Sequence, residues 1–182
     1  LLLLPGCDRK QEAPASFASW TESTFSRLDD ESKFGQTLCL TVDPMAYFLD
    51  NLYKAKIQGF LRRWHPGAIR FETVYSKYTR DNLEEFSGVK LRGVVLELES
   101  LSDIPLLFAA EFETGAWSWE GRATRFAAPL AFGATGSKSW AFRGGKITAM
   151  EAAAQGINWI LGPVTDTTSN DRSQTFNFRC YG

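Results

Sequence analysis

The apolar positions of this chain fall into two kinds of run. Short, nearly continuous ones occur at Gln36–Val42, Gly67–Phe71, Ile104–Ala110 and Ile157–Leu161. Runs of this length read as strands buried on both faces, as in a parallel sheet. Longer stretches with helical spacing lie between them. Asp43-Pro44 is a helix start, with Asp as N-cap and Pro at the first helical position. Met45, Leu49, Leu52, Phe60 and Trp64 then share one helical stripe, which His65-Pro66-Gly67 ends.

The remaining segments complete the pattern. A short helix is expected from Asp29 or Asp30 into Phe34, because acids favour a first turn. Thr79 through Leu101 reads as a helix, although Leu96-Glu97-Leu98-Glu99 also alternates as a strand would. Helix is preferred there, since Ile104–Ala110 already supplies the next strand. Gly121–Ala134 reads as a long irregular loop, and Ser139–Gln155 as an Ala-rich helix with Gly156 as its C′ residue. Strand and helix alternate about four times, which predicts an α/β fold with a parallel sheet. That pattern suits either the first half of a (β/α)8 TIM barrel or a small doubly wound sheet.

Composition excludes more than it identifies. The 182 residues carry 20 basic and 21 acidic side chains, so nothing points to nucleic acid or another polyanion. Apolar residues at 44% suffice for one ordinary core. Aromatics at 14% suit sugar rings, but they fill cores more often. The spacing of Cys39 and Cys180 is not that of a metal site, and no cofactor motif is present. Cys39 lies in an apolar run and reads as a buried small hydrophobe; a Cys39–Cys180 disulfide is left open. Oligomeric state is left open as well.

The chemistry concentrates after the third apolar run. Glu111 and Glu113 follow Ile104–Ala110 directly, and Gly115 closes the turn. Acids at the carboxyl end of a strand stand where α/β enzymes keep their ligand sites. The alternative is a solvated turn.

The N-terminus, Leu1-Leu2-Leu3-Leu4-Pro5-Gly6-Cys7, resembles the lipobox of bacterial lipoproteins. This resemblance implies a signal ending at residue 7, lipid on Cys7, a linker over 8–19 and a location in the bacterial cell envelope. No stretch after Cys7 is long and apolar enough to span a bilayer.

A second resemblance covers about Phe34 to Gly182. Phe34-Gly35-Gln36, Gly67-Ala68-Ile69, Ile104–Gly115, Ala127–Pro129, Phe132-Gly133-Ala134-Thr135-Gly136 and Glu151 stand in order. They continue with Gly156-Ile157-Asn158 and Pro163-Val164-Thr165-Asp166. The series resembles the N-terminal barrel of family 3 glycoside hydrolases, in the β-N-acetylhexosaminidase branch. It implies a partial barrel over 20–182 and a glycan substrate cleaved by a retaining displacement. Glu111 would then bind sugar hydroxyls, where the family usually has Asp. Asp166 would order loops near the substrate. Arg179, in Arg179-Cys180-Tyr181-Gly182, would contact the sugar through its guanidinium fork.

Trp117-Ser118-Trp119 stands where the branch usually has an Arg, for which Arg122 or Arg125 is the substitute. Glu113 is assigned to loop structure, on the expectation that it and Glu111 point apart. The family's nucleophilic Asp and its His acid/base are expected beyond Gly182. His65, at a helix end, does not match the family's catalytic loop and is read as structural. The competing reading is a non-catalytic, lipid-anchored α/β domain that binds a glycan or small ligand. A cytoplasmic flavodoxin-like protein is disfavoured by the lack of a phosphate-cradling Gly-rich loop.

Overall fold

The computed structural model describes residues 17–72, 88–118, 123–164 and 179. Chain order is α1 (Phe17–Arg27), α2 (Asp30–Gly35), β1 (Cys39–Val42), α3 (Pro44–Leu49), α4 (Asn51–Trp64), β2 (Ala68–Phe71), α5 (Gly88–Glu99) and β3 (Leu107–Ala110). A 3-10 turn (Ala116–Ser118), α6 (Pro129–Ala134), α7 (Lys138–Gln155) and β4 (Trp159–Ile160) follow. The four strands are parallel and neighbour one another in chain order, β1-β2-β3-β4. A doubly wound sheet reverses its strand order at a switch point within its first units. Stepwise order without reversal is that of a barrel wall, so the barrel alternative holds and the flavodoxin-like one does not.

Strand parity divides the sheet into two faces. Leu40, Val42, Ile69, Phe71, Phe108, Ala110 and Ile160 belong to the core, where Phe71 stacks on Phe108 at 5.8 Å between ring centres. Helices supply the rest, including Met45 and Tyr47 of α3, Ile57 and Leu61 of α4, and Leu91, Val94 and Leu98 of α5. Ala152 of α7 joins the same cluster. The opposite face carries Cys39, Thr41, Arg70, Leu107 and Trp159, exposed or half-buried, between the small and buried Ala68 and Ala109. The expectation of strands buried on both faces therefore fails on one of them, and Cys39 is exposed rather than buried.

Capping decides where the helices begin. The Asp43 carboxylate accepts from the backbone N–H groups of Met45 and Ala46 at 3.0 and 3.1 Å, as the Asp-Pro signal predicts. Asp50 repeats the device six residues after Pro44, accepting from Leu52 and Tyr53 at 2.9 and 3.0 Å. The expected single helix is thus two, α3 and α4. The buried α4 residues are Ile57 and Leu61, while Leu49 and Leu52 of the expected stripe are exposed.

Other expectations need smaller corrections. Residues 17–19 open α1 rather than ending a linker, and α6 lies inside the stretch read as irregular. The Leu96–Glu99 ambiguity resolves as helix. Gly156 caps α7 at φ 92° as expected. Trp159, read as part of a buried strand, is 41% exposed. Cys7, the linker over 8–16, Asp166 and Cys180 lie outside the described residues. Among the described residues no helix is long and apolar enough to cross a membrane.

Candidate functional site

A row of charges lies at the carboxyl ends of β2 and β3. Arg70 belongs to β2, in register with Thr41 of β1 and Ala109 of β3. Its terminal nitrogen Nη2 stands 2.8 Å from Glu72 Oε2 and 3.1 Å from Glu111 Oε1. Glu72 and Glu111 each lie two residues beyond the Arg70–Ala109 pair, so strand alternation brings all three to the face away from the core. Arg70 Nε is buried and has no hydrogen-bond partner among the described residues.

Glu113 extends the row. Arg179 Nε donates to Glu113 Oε2 at 2.9 Å, and Arg179 Nη2 donates to Glu113 Oε1. This bidentate fork is the geometry in which arginine and carboxylate bind most strongly. Contact with Glu113, with Glu111 adding charge at longer range, raises the Arg179 pKa still further above its already high ordinary value. The expected divergence of Glu111 and Glu113 is therefore not found. Residues at i and i+2 share a strand face, and both carboxylates act on one guanidinium. What differs is exposure, since the Glu111 side chain is 49% exposed and that of Glu113 only 17%.

The turn that carries these acids is held from α7. Gln155 Nε2 donates to the Ala116 carbonyl at 3.0 Å. Glu151 accepts from Thr124 N at 2.9 Å and from Thr124 Oγ1 at 2.6 Å, tying down the return of the chain. Gly115, at φ 97°, sits against that return, and a Cβ there would lie 2.1 Å from the Thr124 carbonyl oxygen. At the other end of β3, Asn158 accepts from Phe108 N at 2.7 Å and donates to the Leu106 carbonyl at 3.1 Å, which sets β3 against β4.

Trp117 and Arg125 meet next to the acidic turn. The Arg125 guanidinium covers the Trp117 ring at 4.3 Å, and the indole N–H donates to Thr114 Oγ1 at 2.9 Å. Of the two arginines considered as substitutes, Arg125 therefore lies against Trp117, and Arg122 lies outside the described residues. His65 adopts φ 45° and closes α4, with its N–H donated to the Leu61 carbonyl at 2.9 Å. It precedes β2, at the opposite end of the strands from the charged row.

Sequence reasoning assigns Glu111 and Arg179 to this site. It misses Arg70 and Glu72, although Arg70 is visible as the one charge inside an apolar strand. It identifies Glu113 too, but as a loop residue rather than the partner of Arg179.

Comparison with known proteins follows the same lines. Residues 53–182 match the family described as the glycosyl hydrolase family 3 N-terminal domain. A β-N-acetylglucosaminidase/β-glucosidase of Cellulomonas fimi is 30% identical over 165 residues, which is 90% of this chain and 26% of that protein. A solved β-glucoside phosphorylase, BglX, is 28% identical with a TM-score of 0.67, over 90% of this chain and 25% of its own. An exo-1,3/1,4-β-glucanase from a Pseudoalteromonas species shares the fold at a TM-score of 0.71 and 17% identity, over 100% of this chain and 22% of its own. The chain spans about a quarter of the length of these relatives.

Proposed function

We propose, from the premise that this chain belongs to glycoside hydrolase family 3, that it forms the sugar-gripping part of a barrel acting on β-linked glycans. The substrates proposed are β-N-acetylglucosaminides or β-glucosides, the two classes named for the Cellulomonas relative. One observation supports this above the others. Glu111 and the Glu113–Arg179 fork lie together at the carboxyl ends of the strands, where barrel enzymes bind their ligands.

The half-exposed Glu111 carboxylate accepts hydrogen bonds from sugar hydroxyls. Arg179, held by Glu113 through one edge of its guanidinium, turns its remaining N–H groups toward the same sugar. Trp117, backed by Arg125, offers an aromatic surface beside them. We assign Asp166 to ordering the loop that follows β4. The retaining displacement itself is assigned to an Asp nucleophile and an acid/base on other strands of the barrel. A relative titled as a phosphorylase makes phosphate a second acceptor to test beside water. We also propose lipid attachment at Cys7 and an envelope location, to be checked by mass spectrometry of the mature N-terminus.

The deciding experiment uses the natural full-length protein with nitrophenyl N-acetyl-β-glucosaminide and nitrophenyl β-glucoside, each with and without inorganic phosphate. Turnover of either, reduced in Glu111→Ala and Arg179→Ala, supports the reading. Binding of the free sugars without turnover of either substrate would favour the non-catalytic binding domain.

A further inference from the structure

Arg70 calls for an explanation that the family reading does not supply. An arginine within a four-residue strand is costly unless its head is paired, and Arg70 is flanked by buried Ile69 and Phe71. Its neighbours across the sheet, Thr41 and Ala109, are small, so there is room for the long side chain to run along the open face. It ends between two carboxylates on adjacent strands, Glu72 and Glu111. Nη2 reaches both of them, and all three side chains remain partly open to solvent on this face.

This arrangement has two consequences. Glu111 has a long, half-exposed side chain with several torsions to fix, and Arg70 holds one of its oxygens. The open sides of the three groups then present carboxylate acceptors beside a guanidinium donor. Neighbouring sugar hydroxyls match that set, because each can donate to a carboxylate while accepting from an N–H.

We propose that Arg70 is a positioning residue for sugar binding: it orients Glu111 against Glu72 and, with Glu111, grips two adjacent hydroxyls of the pyranose. This deepens the sugar-binding role proposed above and rests on it. Selectivity follows from the same geometry. A sugar lacking either hydroxyl of the gripped pair leaves a charged group unsatisfied, whereas changes elsewhere on the ring are tolerated.

The test is calorimetric titration of the natural full-length protein with N-acetylglucosamine, glucose and the monodeoxy analogues of whichever sugar binds. Wild type is compared with Arg70→Lys, Arg70→Met and Glu72→Gln. In wild type, removing either hydroxyl of one adjacent pair is expected to weaken binding about tenfold or more, as for hydrogen bonds to charged groups. In Arg70→Met the intact sugar binds about tenfold more weakly and the deoxy penalty disappears, while Arg70→Lys regains only part of the affinity. If Arg70→Met fails to fold, the Lys and Gln variants carry the same comparison. Loss of thermal stability with an unchanged pattern of deoxy penalties would show a merely structural role and overturn the proposal. If wild type binds no sugar, the site reading falls and this inference with it. If wild type binds but the Arg70 variants keep its selectivity, only this inference falls.

Discussion

Glu111 and Glu113 sit two residues apart and differ in what holds them. Glu113 is largely covered and bidentate to Arg179, whereas Glu111 is half-open and held at one oxygen by Arg70. The turn that lets both acids face one site depends on Gly115. Any side chain there meets the Thr124 carbonyl and must adopt a left-handed backbone as well. Gly115→Ala is expected to destabilise the protein by about 1–3 kcal/mol, read from urea unfolding, and to weaken sugar binding with it. A near-neutral result would mean that the turn relaxes without strain.

Tyr47 gives a residue-scale pH dependence. Burial, with Glu97's negative charge alongside, pushes its phenol above the ordinary tyrosine range, although the hydrogen bond from Gln58 opposes the shift. The unfolded chain then ionises Tyr47 first, so folded stability is full below the ordinary tyrosine pKa and falls as pH rises through it. Tyr47→Phe should make the alkaline limb of a stability–pH curve shallower. An unchanged limb would assign the loss to other groups.

Elements were legible from the sequence where a local signal sufficed. Asp43-Pro44, Asp29 ahead of α2 and Gly156 after α7 are local chemistry, and each stands where it was read. The break at Asp50 was equally local, but the apolar stripe across it masked the cap. On α5, Glu97 accepts from Lys54 at 2.8 Å and from Gln58 at 2.9 Å, a bridge to α4 that favours helix over the competing strand pattern. Such a bridge cannot be read from one segment alone.

α6 was missed because its N-cap, Ala128, makes no side-chain hydrogen bond, which left Pro129 at the first helical position without a capping residue beside it. It packs through Phe132 onto Gly144, where a Cβ would come within 3.0 Å of the ring, so Gly144 has a packing reason, whereas a Cβ at Gly145 would meet nothing within 4 Å. α7 also holds the site turn from outside. Glu151→Ala would leave the Thr124 N–H and hydroxyl without their acceptor, at a cost of about 1–3 kcal/mol. Limited proteolysis should then cut within residues 123–126 before the core opens. Simultaneous loss of the whole fold would argue against a separate loop-holding role for Glu151.

At the scale of the whole molecule, the apolar runs marked the four strands but could not say what lies across each of their faces. That depends on which surface is opposite, and a run of apolar residues does not encode it. Leu107 at 49% exposure and Trp159 at 41% therefore read as buried and are not. Among the described residues, β1 and β4 each also leave one edge unpaired. α7 also exposes Trp140, Phe142 and Met150.

Open parallel edges and exposed aromatics favour pairing with another chain. The 182-residue chain is therefore expected to self-associate, with a light-scattering mass above that of the monomer and rising with concentration. Trp159→Lys, which places a charge on the free edge and face at once, should shift the distribution toward monomer without lowering the melting temperature by more than a degree or two. A monodisperse wild-type monomer at tens of micromolar would show that the edges are already covered. Association that survives both Trp159→Lys and Leu107→Lys would place the contact on α7 instead.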